Sequence, residues 1–368
     1  MKTRERRSVA VIGAGIAGAT LAHALALDGH SVHVFDKARG PGGRLATRRV
    51  EWVDRQGHSA ITRLDHGALG FTVSNPACQA FADLALRAGW LTEWKPRLAP
   101  GSLALEGGAM LYVPAPDMPA LCGHLLEGVP VSLSFAVDGL RRGPLGWQVQ
   151  ADGVPHASKF DTVLLALPPA QAAPLLNPHR LDWARHAATA LMQPCWTLMG
   201  IADDPGPDSG WDLARPPSGP LAWVLHNDAR PARASVPGQA HWVAHARTGW
   251  SRRHLEQPAA WVQQQMQAAL AECVGRPVDW YHCTVHRWRY ALPQAHGTAP
   301  AASAWWDAAQ GLGVCGDFLG RSGVEGAWLS AQSLCAAMLG GAADMGNASA
   351  AAADFFSDAC RRQGAAQG

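Results

Sequence analysis

The chain has 368 residues, enough for one large domain or two ordinary ones, and its 48% apolar and 16% charged content is typical of a globular core. Its 31 basic and 29 acidic side chains give a net charge of +2, which lacks the basic excess that nucleic-acid binding requires. No apolar stretch approaches the ~20 residues that span a bilayer. The eight cysteines form no CxxC pair. We therefore predict a cytoplasmic protein that binds no nucleic acid, no membrane and no metal.

The first predicted element is a strand, glycine turn, helix and second strand over residues 8–36. In this βαβ pattern Gly13 makes the turn, Gly15 lets the backbone approach a pyrophosphate, and Gly18 lets the helix pack closely on the strand. The N–H groups at the helix start face the phosphate charge. We predict dinucleotide contacts here at Gly13, Gly15, Ile16, Ala17 and Gly18.

An acidic residue and a second glycine cluster follow. Asp36 ends the second strand, where its carboxylate can accept a hydrogen bond from a ribose hydroxyl. The segment from Lys37 to Arg44, KARGPGGR, lets backbone approach a ligand again at Gly43 and offers a guanidinium fork for a phosphate. The glycine motif alone leaves both NAD and FAD open.

This segment resembles the flavin amine oxidase superfamily, whose members carry an acidic residue followed by a GGR segment that wraps FAD. The resemblance implies FAD rather than a diffusing nicotinamide. Cys315 matches no covalent flavin attachment motif, so FAD is expected to be non-covalent.

The next elements alternate between strands and helices. A hairpin is predicted over 47–71 that ends in Asp65-His66-Gly67-Ala68, with Gly67 and Ala68 as cofactor contacts by resemblance. A helix capped by Asn75 and closed by Gly89 follows. Beyond it we predict a helix over 116–126, a strand over 130–135 and a fully buried parallel strand over 160–166. In the resembled superfamily the segment matching Val131 touches the adenine side of FAD.

The last part of the chain returns to the first domain. A helix is predicted over 258–274, a strand over 312–315 and a final helix from Gly323. Small residues at that helix start let a planar ligand approach, and the helix dipole there favours negative charge. By resemblance, this region places five residues near the ribityl chain, the pyrophosphate or flavin N1: Gly316, Asp317, Glu325, Gly326 and Ala327.

The predicted fold class is α/β with two domains. A Rossmann-type FAD-binding domain is built from a discontinuous chain, residues 1–71, 115–170 and 290–341. A mixed, mainly antiparallel sheet forms the substrate domain from residues 72–114 and 171–289. Residues 342–368 are predicted to be a C-terminal helix or tail.

Four motifs narrow the resemblance. The segments at 65–68, 242–245, 286–291 (HRWRYA) and 316–328 (GDFLGRSGVEGAW) resemble the renalase group, in particular its bacterial members, over nearly the whole chain. That resemblance implies oxidation of misreduced 2- and 6-dihydro-NAD(P) to NAD(P)+. The electrons pass to O2 and give hydrogen peroxide.

A dihydropyridine needs an aromatic slot rather than a strong base. Trp288 can supply the slot, while His245 or Arg289 can position the carboxamide or ribose-phosphate part, and no essential acid or base is expected. Two pairs of histidines are spaced four residues apart, at 241/245 and 282/286. Neither pair has an evident carboxylate to hydrogen-bond its rings or a cysteine at the spacing of a metal ligand. We therefore expect pocket or core histidines there rather than a metal site.

Two other functions remain open at this point. One is an amine oxidase on the same scaffold, since an aromatic cage around a neutral amine would use similar residues. The other is a flavin-binding sensor or partner protein without turnover.

Overall fold

A computed structural model describes residues 6–105, 110–203, 210–294 and 303–340. The tail predicted for 342–368 lies outside the described residues. Within the described ranges, no helix is both long and apolar enough to cross a membrane.

The strands are β1 (Ser8–Ile12), β2 (Ser31–Phe35), β3 (Thr47–Val53), β4 (Ser59–Asp65), β5 (Leu91–Trp94), β6 (Leu111–Pro114), β7 (Val131–Ser132), β8 (Val137–Gly143), β9 (Gly146–Ala151), β10 (Val154–Pro155), β11 (Thr162–Leu165), β12 (Met192–Asp203), β13 (Leu213–Ala214), β14 (Leu221–His226), β15 (Gln239–Ala246), β16 (Trp280–Pro293), β17 (Trp305–Asp307) and β18 (Leu312–Val314). The helices are α1 (Ile16–Leu27), α2 (Pro76–Arg87), α3 (Ala120–Leu125), α4 (Pro169–Leu176), α5 (Leu181–Thr189), α6 (Thr248–Arg253), α7 (Ala259–Val274) and α8 (Gly323–Met338).

A six-stranded sheet runs in the order β17-β18-β11-β1-β2-β7 and is parallel except for its edge strand β17. Every residue of β11 is buried, as predicted for a central parallel strand. Because β18 pairs with β11, and β11 with β1, the end of the chain completes the sheet that its beginning starts. The carboxyl ends of these strands therefore meet at one edge.

Helix α1 follows β1 through the predicted glycine turn. Gly13 has a φ of +110°, which glycine tolerates and other residues avoid. A Cβ on Gly18 would lie 1.8 Å from the carbonyl oxygen of Gly13, so only glycine lets the helix approach the turn this closely. The helix ends at Leu27 with Asp28 as its cap, and Gly29 (φ +89°) turns the chain into β2.

A second, antiparallel sheet has the order β13-β14-β15-β12-β16. One face packs on α7 through Val262, Met266 and Leu270, and the predicted end of α7 is confirmed by the left-handed Gly275. The other face packs toward the hairpin β3–β4. The second sheet is thereby joined to the first domain through that hairpin.

Two predicted elements are shorter than expected. The helix predicted over 116–126 begins only at Ala120, because Pro119 disfavours the helical conformation at Met118, whose N–H donates to the hairpin residue Thr47 (3.1 Å). The strand predicted over 130–135 covers only β7, because Ser134 adopts a φ of +55° and donates its N–H to Ala38 O (2.8 Å).

Candidate functional site

The glycine turn leaves room for a side chain at Gly15, where the sequence predicts a pyrophosphate. A Cβ added to Gly15 would have no protein atom nearer than 3.8 Å, the Cα of Gly43. The protein itself therefore does not require glycine at this position. The first N–H groups of α1, at Ile16 and Ala17, have no helical carbonyl before them to bond, while both side chains are buried. Open space beside free N–H groups fits a phosphate-bearing ligand.

The second glycine cluster packs against this turn. Gly42 N–H donates to Ala14 O (2.9 Å), and Gly43 adopts a φ of +58° with its Cβ position 3.1 Å from Gly15 Cα. The two glycine segments therefore lie close enough together for the backbone of each to approach the same ligand, which is the arrangement that the sequence predicts.

Asp36 lies at the end of β2, beside the glycine turn. Its two carboxylate oxygens accept from Ala14 N–H (2.6 Å) and Ala38 N–H (2.7 Å). Each oxygen keeps a further lone pair, which can accept from a ribose hydroxyl. Val131 lies on the neighbouring strand β7, and Lys37 is exposed.

Arg44 and Asp317 form a bidentate ion pair across 273 residues of sequence. The Arg44 guanidinium donates to the two Asp317 oxygens at 2.8 and 2.6 Å and to Ala291 O at 2.9 Å. These three bonds use Nη1 twice and Nη2 once, so Nε and the second N–H of Nη2 can still donate to a phosphate, and the predicted phosphate contact stays a prediction. Asp317 also accepts from Gly323 N–H (3.2 Å), which ties Arg44 to the start of α8.

Gly67 and Ala68 lie against the same segment. Gly67 N–H donates to Ala46 O (3.1 Å) and Ala68 N–H to Arg44 O (2.9 Å). A Cβ on Gly67 would lie 2.1 Å from Arg44 O, so this glycine is required by the contact between two protein segments.

The start of α8 is tied to the loop before α2 by one side chain. The buried carboxylate of Glu325 accepts from the N–H groups of Ser74 and Asn75, both at 2.7 Å, and lies 3.1 Å from Arg321. The side chain of Glu325 therefore anchors the loop before α2, and the backbone of Glu325 is the part that stays available for the predicted cofactor contact. A Cβ on Gly326 would lie 1.5 Å from Arg321 O, so Gly326 too has a structural reason to be glycine.

These segments form one continuous feature, which we call the cofactor strip: residues 13–18, 36–44, 67–68, 316–317 and 323–327. It follows the carboxyl edge of the parallel sheet, the usual place for a nucleotide in such folds. A long dinucleotide such as FAD fits this strip, because Gly15 leaves room for it, a helix begins at each end of the strip and an acidic residue follows β2.

A row of side chains crosses the face of the second sheet that packs toward the hairpin. Trp223 pairs with His245, His245 with Thr197, and Thr197 with His286 in the strand register. Directly paired residues in antiparallel strands point to the same side. His245 Nε2 is buried and has no hydrogen-bond partner in the described chain.

His66 joins this row to the cofactor strip. Its ring stacks on Trp288 (5.2 Å between centroids) and meets His286 edge-on (4.9 Å). Trp288 Nε1 donates to His66 O at 3.0 Å. The row and His66 with Trp288 make up the aromatic cluster, which we define as His66, Thr197, Trp223, His245, His286 and Trp288.

Arg289 does not belong to the aromatic cluster, and its expected role in positioning substrate is wrong. Along β16, His286 and Trp288 point to one side and Arg287 and Arg289 to the other. Both arginines pair with Glu256, and Arg289 does so at 2.6 and 3.0 Å.

The histidines of the aromatic cluster are held neutral at pH 7. Burial, with smaller effects from the neighbouring His286 and Arg48, lowers the pKa of His66 to about 3. Burial and the charge of Arg230 lower the pKa of His245 to about 4. The pKa of His286 is also lowered, again chiefly by burial. Neutral imidazoles can donate or accept a hydrogen bond without adding charge.

Sequence reasoning missed a buried ion cluster directly before His66. Asp65 accepts from Arg230 Nη1 (3.0 Å) and Arg233 Nε (2.7 Å). Both arginines lie in the segment 229–237, which contains two prolines and connects β14 to β15. The alternation of arginine with small residues there gave no signal of burial.

An open cavity of about 630 Å³ adjoins the aromatic cluster at Trp223. Tyr112 and Arg215 line it, and the Arg215 guanidinium lies 5.0 Å from the Trp223 ring centroid. In the residues that the structure describes, no three His, Cys, Asp or Glu side chains converge as a metal site.

Comparison with known proteins supports the fold. The family model of an NAD(P)-binding Rossmann-like domain matches residues 11–84. Similar solved structures include a protein assigned as a protoporphyrinogen oxidase from Exiguobacterium sp. 255-15 (TM-score 0.64, 12% identity, 91% of this chain and 99% of that chain). Others are a cyclohexylamine oxidase from Brevibacterium oxydans IH-35A (0.59, 13%, 91% and 99%) and a CLA-producing fatty acid isomerase from P. acnes (0.60, 12%, 90% and 98%).

These identities are low, so the likeness shows the fold alone. The predicted fold class, a Rossmann-type domain with a further antiparallel sheet, is confirmed. Because oxidases and an isomerase share this fold, the chemistry of this chain has to be argued from its own site.

Proposed function

We propose that this protein binds FAD non-covalently along the cofactor strip and oxidises 2- and 6-dihydro-NAD(P) to NAD(P)+, with O2 as the electron acceptor. The bound flavin would supply the hydride acceptor. The protein's own residues would bind the substrate, orient its ring and exclude water.

The observation that carries this proposal is an aromatic cluster whose histidines are neutral at pH 7. A dihydropyridine becomes aromatic when it loses hydride, so its oxidation needs no base. His66, His286 and Trp288 present ring surfaces suited to a planar donor. Nε2 of His245 is buried in the same face and has no hydrogen-bond partner among the described residues, so we expect it to bond the carboxamide once the substrate ring has entered the cluster.

The adjoining cavity supports a large substrate. Its volume of about 630 Å³ lies in the range of small-molecule sites, and it opens beside Trp223, the end of the aromatic row. Tyr112 and Trp223 can stack on a nucleoside, and Arg215 can pair with a phosphate. A dinucleotide would use both the cluster and the cavity.

Amine oxidation is the second candidate, favoured by the structural likeness to cyclohexylamine oxidase. Amines are mostly cationic at pH 7, whereas the histidines of the aromatic cluster are neutral and offer no negative charge to pair with a cation. We therefore favour the dihydronicotinamide.

Anaerobic mixing of the FAD-loaded protein with 6-dihydro-NAD and with a panel of amines tests the proposal. We expect rapid bleaching of the flavin absorbance by the dihydronicotinamide and formation of one hydrogen peroxide per turnover when O2 is admitted. Bleaching by amines alone would establish the second candidate. Bound flavin that neither class reduces would indicate a sensor or partner protein.

A further inference from the structure

The ion cluster beside His66 holds unbalanced charge. Arg230 and Arg233 both donate to the same oxygen of Asp65, and the side chains are 0%, 5% and 1% exposed, respectively. Two guanidinium groups share one carboxylate. One positive charge therefore lies in the interior without a counter-charge from Asp65.

The same two arginines carry N–H donors that have no acceptor among the described residues. The Nε and Nη2 atoms of Arg230 and the Nη2 of Arg233 are buried, and none has a hydrogen-bond acceptor within the described ranges. The remaining nitrogen of Arg233, Nη1, donates to the carbonyl oxygens of Pro114 and Pro231. A buried N–H without an acceptor is destabilising, and three on one charged pair is unusual.

The neighbouring groups do not relieve this imbalance. The second oxygen of Asp65 accepts from Thr47 Oγ1 (2.5 Å), and the ring of Trp94 lies 5.7 Å from the Arg230 guanidinium. Asp65 is the one carboxylate of the described chain whose charge acts on Arg230. Burial lowers the pKa of Arg230 to about 10, which still leaves the side chain cationic at pH 7.

We propose that Arg230 and Arg233 bind a monovalent anion of the size of chloride, held by the three N–H donors that Asp65 leaves unused. The anion supplies both the missing acceptor and the missing charge. It is small because the donors have almost no exposure to solvent, so a bulky anion cannot reach them. This site does not depend on the proposed reaction, since its ligand is neither FAD nor substrate.

Bromide makes the site visible. Crystals of the FAD-loaded protein grown in sodium bromide should show an anomalous peak within about 3.5 Å of Arg230 Nε and Nη2. An ordinary water there, with no anomalous signal, would overturn the proposal.

Solution measurements give an independent test. At equal ionic strength, sodium chloride should raise the melting temperature of the FAD-loaded protein by about 2 °C or more over sodium gluconate, whose anion is too bulky to enter. Arg233→Met should abolish the difference. Arg49→Met is the matched control, because Arg49 is 56% exposed and pairs with Glu51 on the surface, and it should keep the difference.

Equal melting of the wild-type protein in the two salts would count against the site. If Arg233→Met does not fold, the bromide peak in the wild-type crystal decides the question.

Discussion

Gly15 and Gly18 lie in the same turn but are glycine for different reasons. At Gly18 a Cβ would collide with the Gly13 carbonyl at 1.8 Å, so the fold requires glycine there. At Gly15 the nearest protein atom would be 3.8 Å away, so the fold tolerates a side chain. A glycine that the protein does not need for its own packing indicates room kept for a ligand.

Substituting these two glycines should separate folding from cofactor binding. Gly15→Val should fold with near-normal circular dichroism but purify without flavin, because its side chain fills the space expected for the pyrophosphate. Gly18→Val should fail to fold. Gly123→Val, at an exposed position of α3 with open space around it, is the control and should retain FAD. Normal flavin content in Gly15→Val would contradict the proposed cofactor site.

The sequence predicts that His245 and Arg289 both position substrate, but replacing them should have different effects on kcat/KM. His245→Ala should lower kcat/KM for 6-dihydro-NAD by roughly 10- to 100-fold with FAD retained, because it removes one hydrogen-bonding contact to substrate. Arg289→Ala should change kcat/KM by less than about twofold, because Arg289 pairs with Glu256 on the opposite face of β16.

Anaerobic stopped-flow reduction at saturating substrate measures the chemical step directly. A drop of many orders of magnitude in His245→Ala would show that a proton transfer is essential and would favour amine chemistry.

At the scale of elements, the strand register of the second sheet places the neutral imidazoles of His245 and His286 on the face that packs toward the hairpin β3–β4. The folded-state pKa of His245, about 4, lies below the ordinary value of 6.5. Between these values the unfolded chain binds more protons than the folded one. The contribution of neutral His245 to the free energy of unfolding is therefore complete above pH 6.5 and is lost progressively as the pH falls toward 4.

Urea unfolding at pH 7 and pH 5 should reveal this loss. We expect His245 alone to contribute on the order of 2 kcal/mol of the decrease in unfolding free energy. His245→Gln should make the decrease smaller, while His58→Gln, at a 78% exposed histidine, should leave it unchanged. An identical decrease in wild-type protein and His245→Gln would show that His245 does not titrate as its burial predicts.

The first turn of α8 is joined to the loop before α2 through Glu325. Glu325→Ala leaves the N–H groups of Ser74 and Asn75 without their acceptor, so the unfolding free energy should fall by about 2 to 3 kcal/mol. The flavin spectrum should be retained, because the carboxylate faces the loop. Glu256→Ala, at a 66% exposed residue, should leave stability unchanged. Loss of FAD with unchanged stability would show that the Glu325 carboxylate contacts the cofactor.

At the scale of the whole molecule, the sequence predicts what is encoded locally. The turn at Gly13 to Gly18, the hairpin ending at Asp65, and the ends of α2 and α7 all follow from short patterns of glycine, caps and apolar spacing. Each involves residues close together in the chain, so a pattern within a short window suffices.

What the sequence could not predict depends on distant pairs. Arg44 meets Asp317, and Glu325 meets Ser74, across more than 240 residues. A guanidinium or carboxylate looks the same in sequence whether it faces a ligand or another side chain. The strand alternation that removes Arg289 from the site was visible in the sequence, but the side of β16 that faces the cofactor strip was not.

The ion pair between Arg44 and Asp317 also has a consequence for biosynthesis. Strand β18 begins about 300 residues after β1 ends, and at ribosomal rates of about 5 to 20 residues per second it emerges roughly 15 to 60 s later. Until then the nascent chain has the glycine turn but neither Asp317 nor α8. We expect the growing polypeptide to hold FAD weakly, so that flavin is captured stably only after α8 has left the ribosome, and chains stalled before α8 should be colourless.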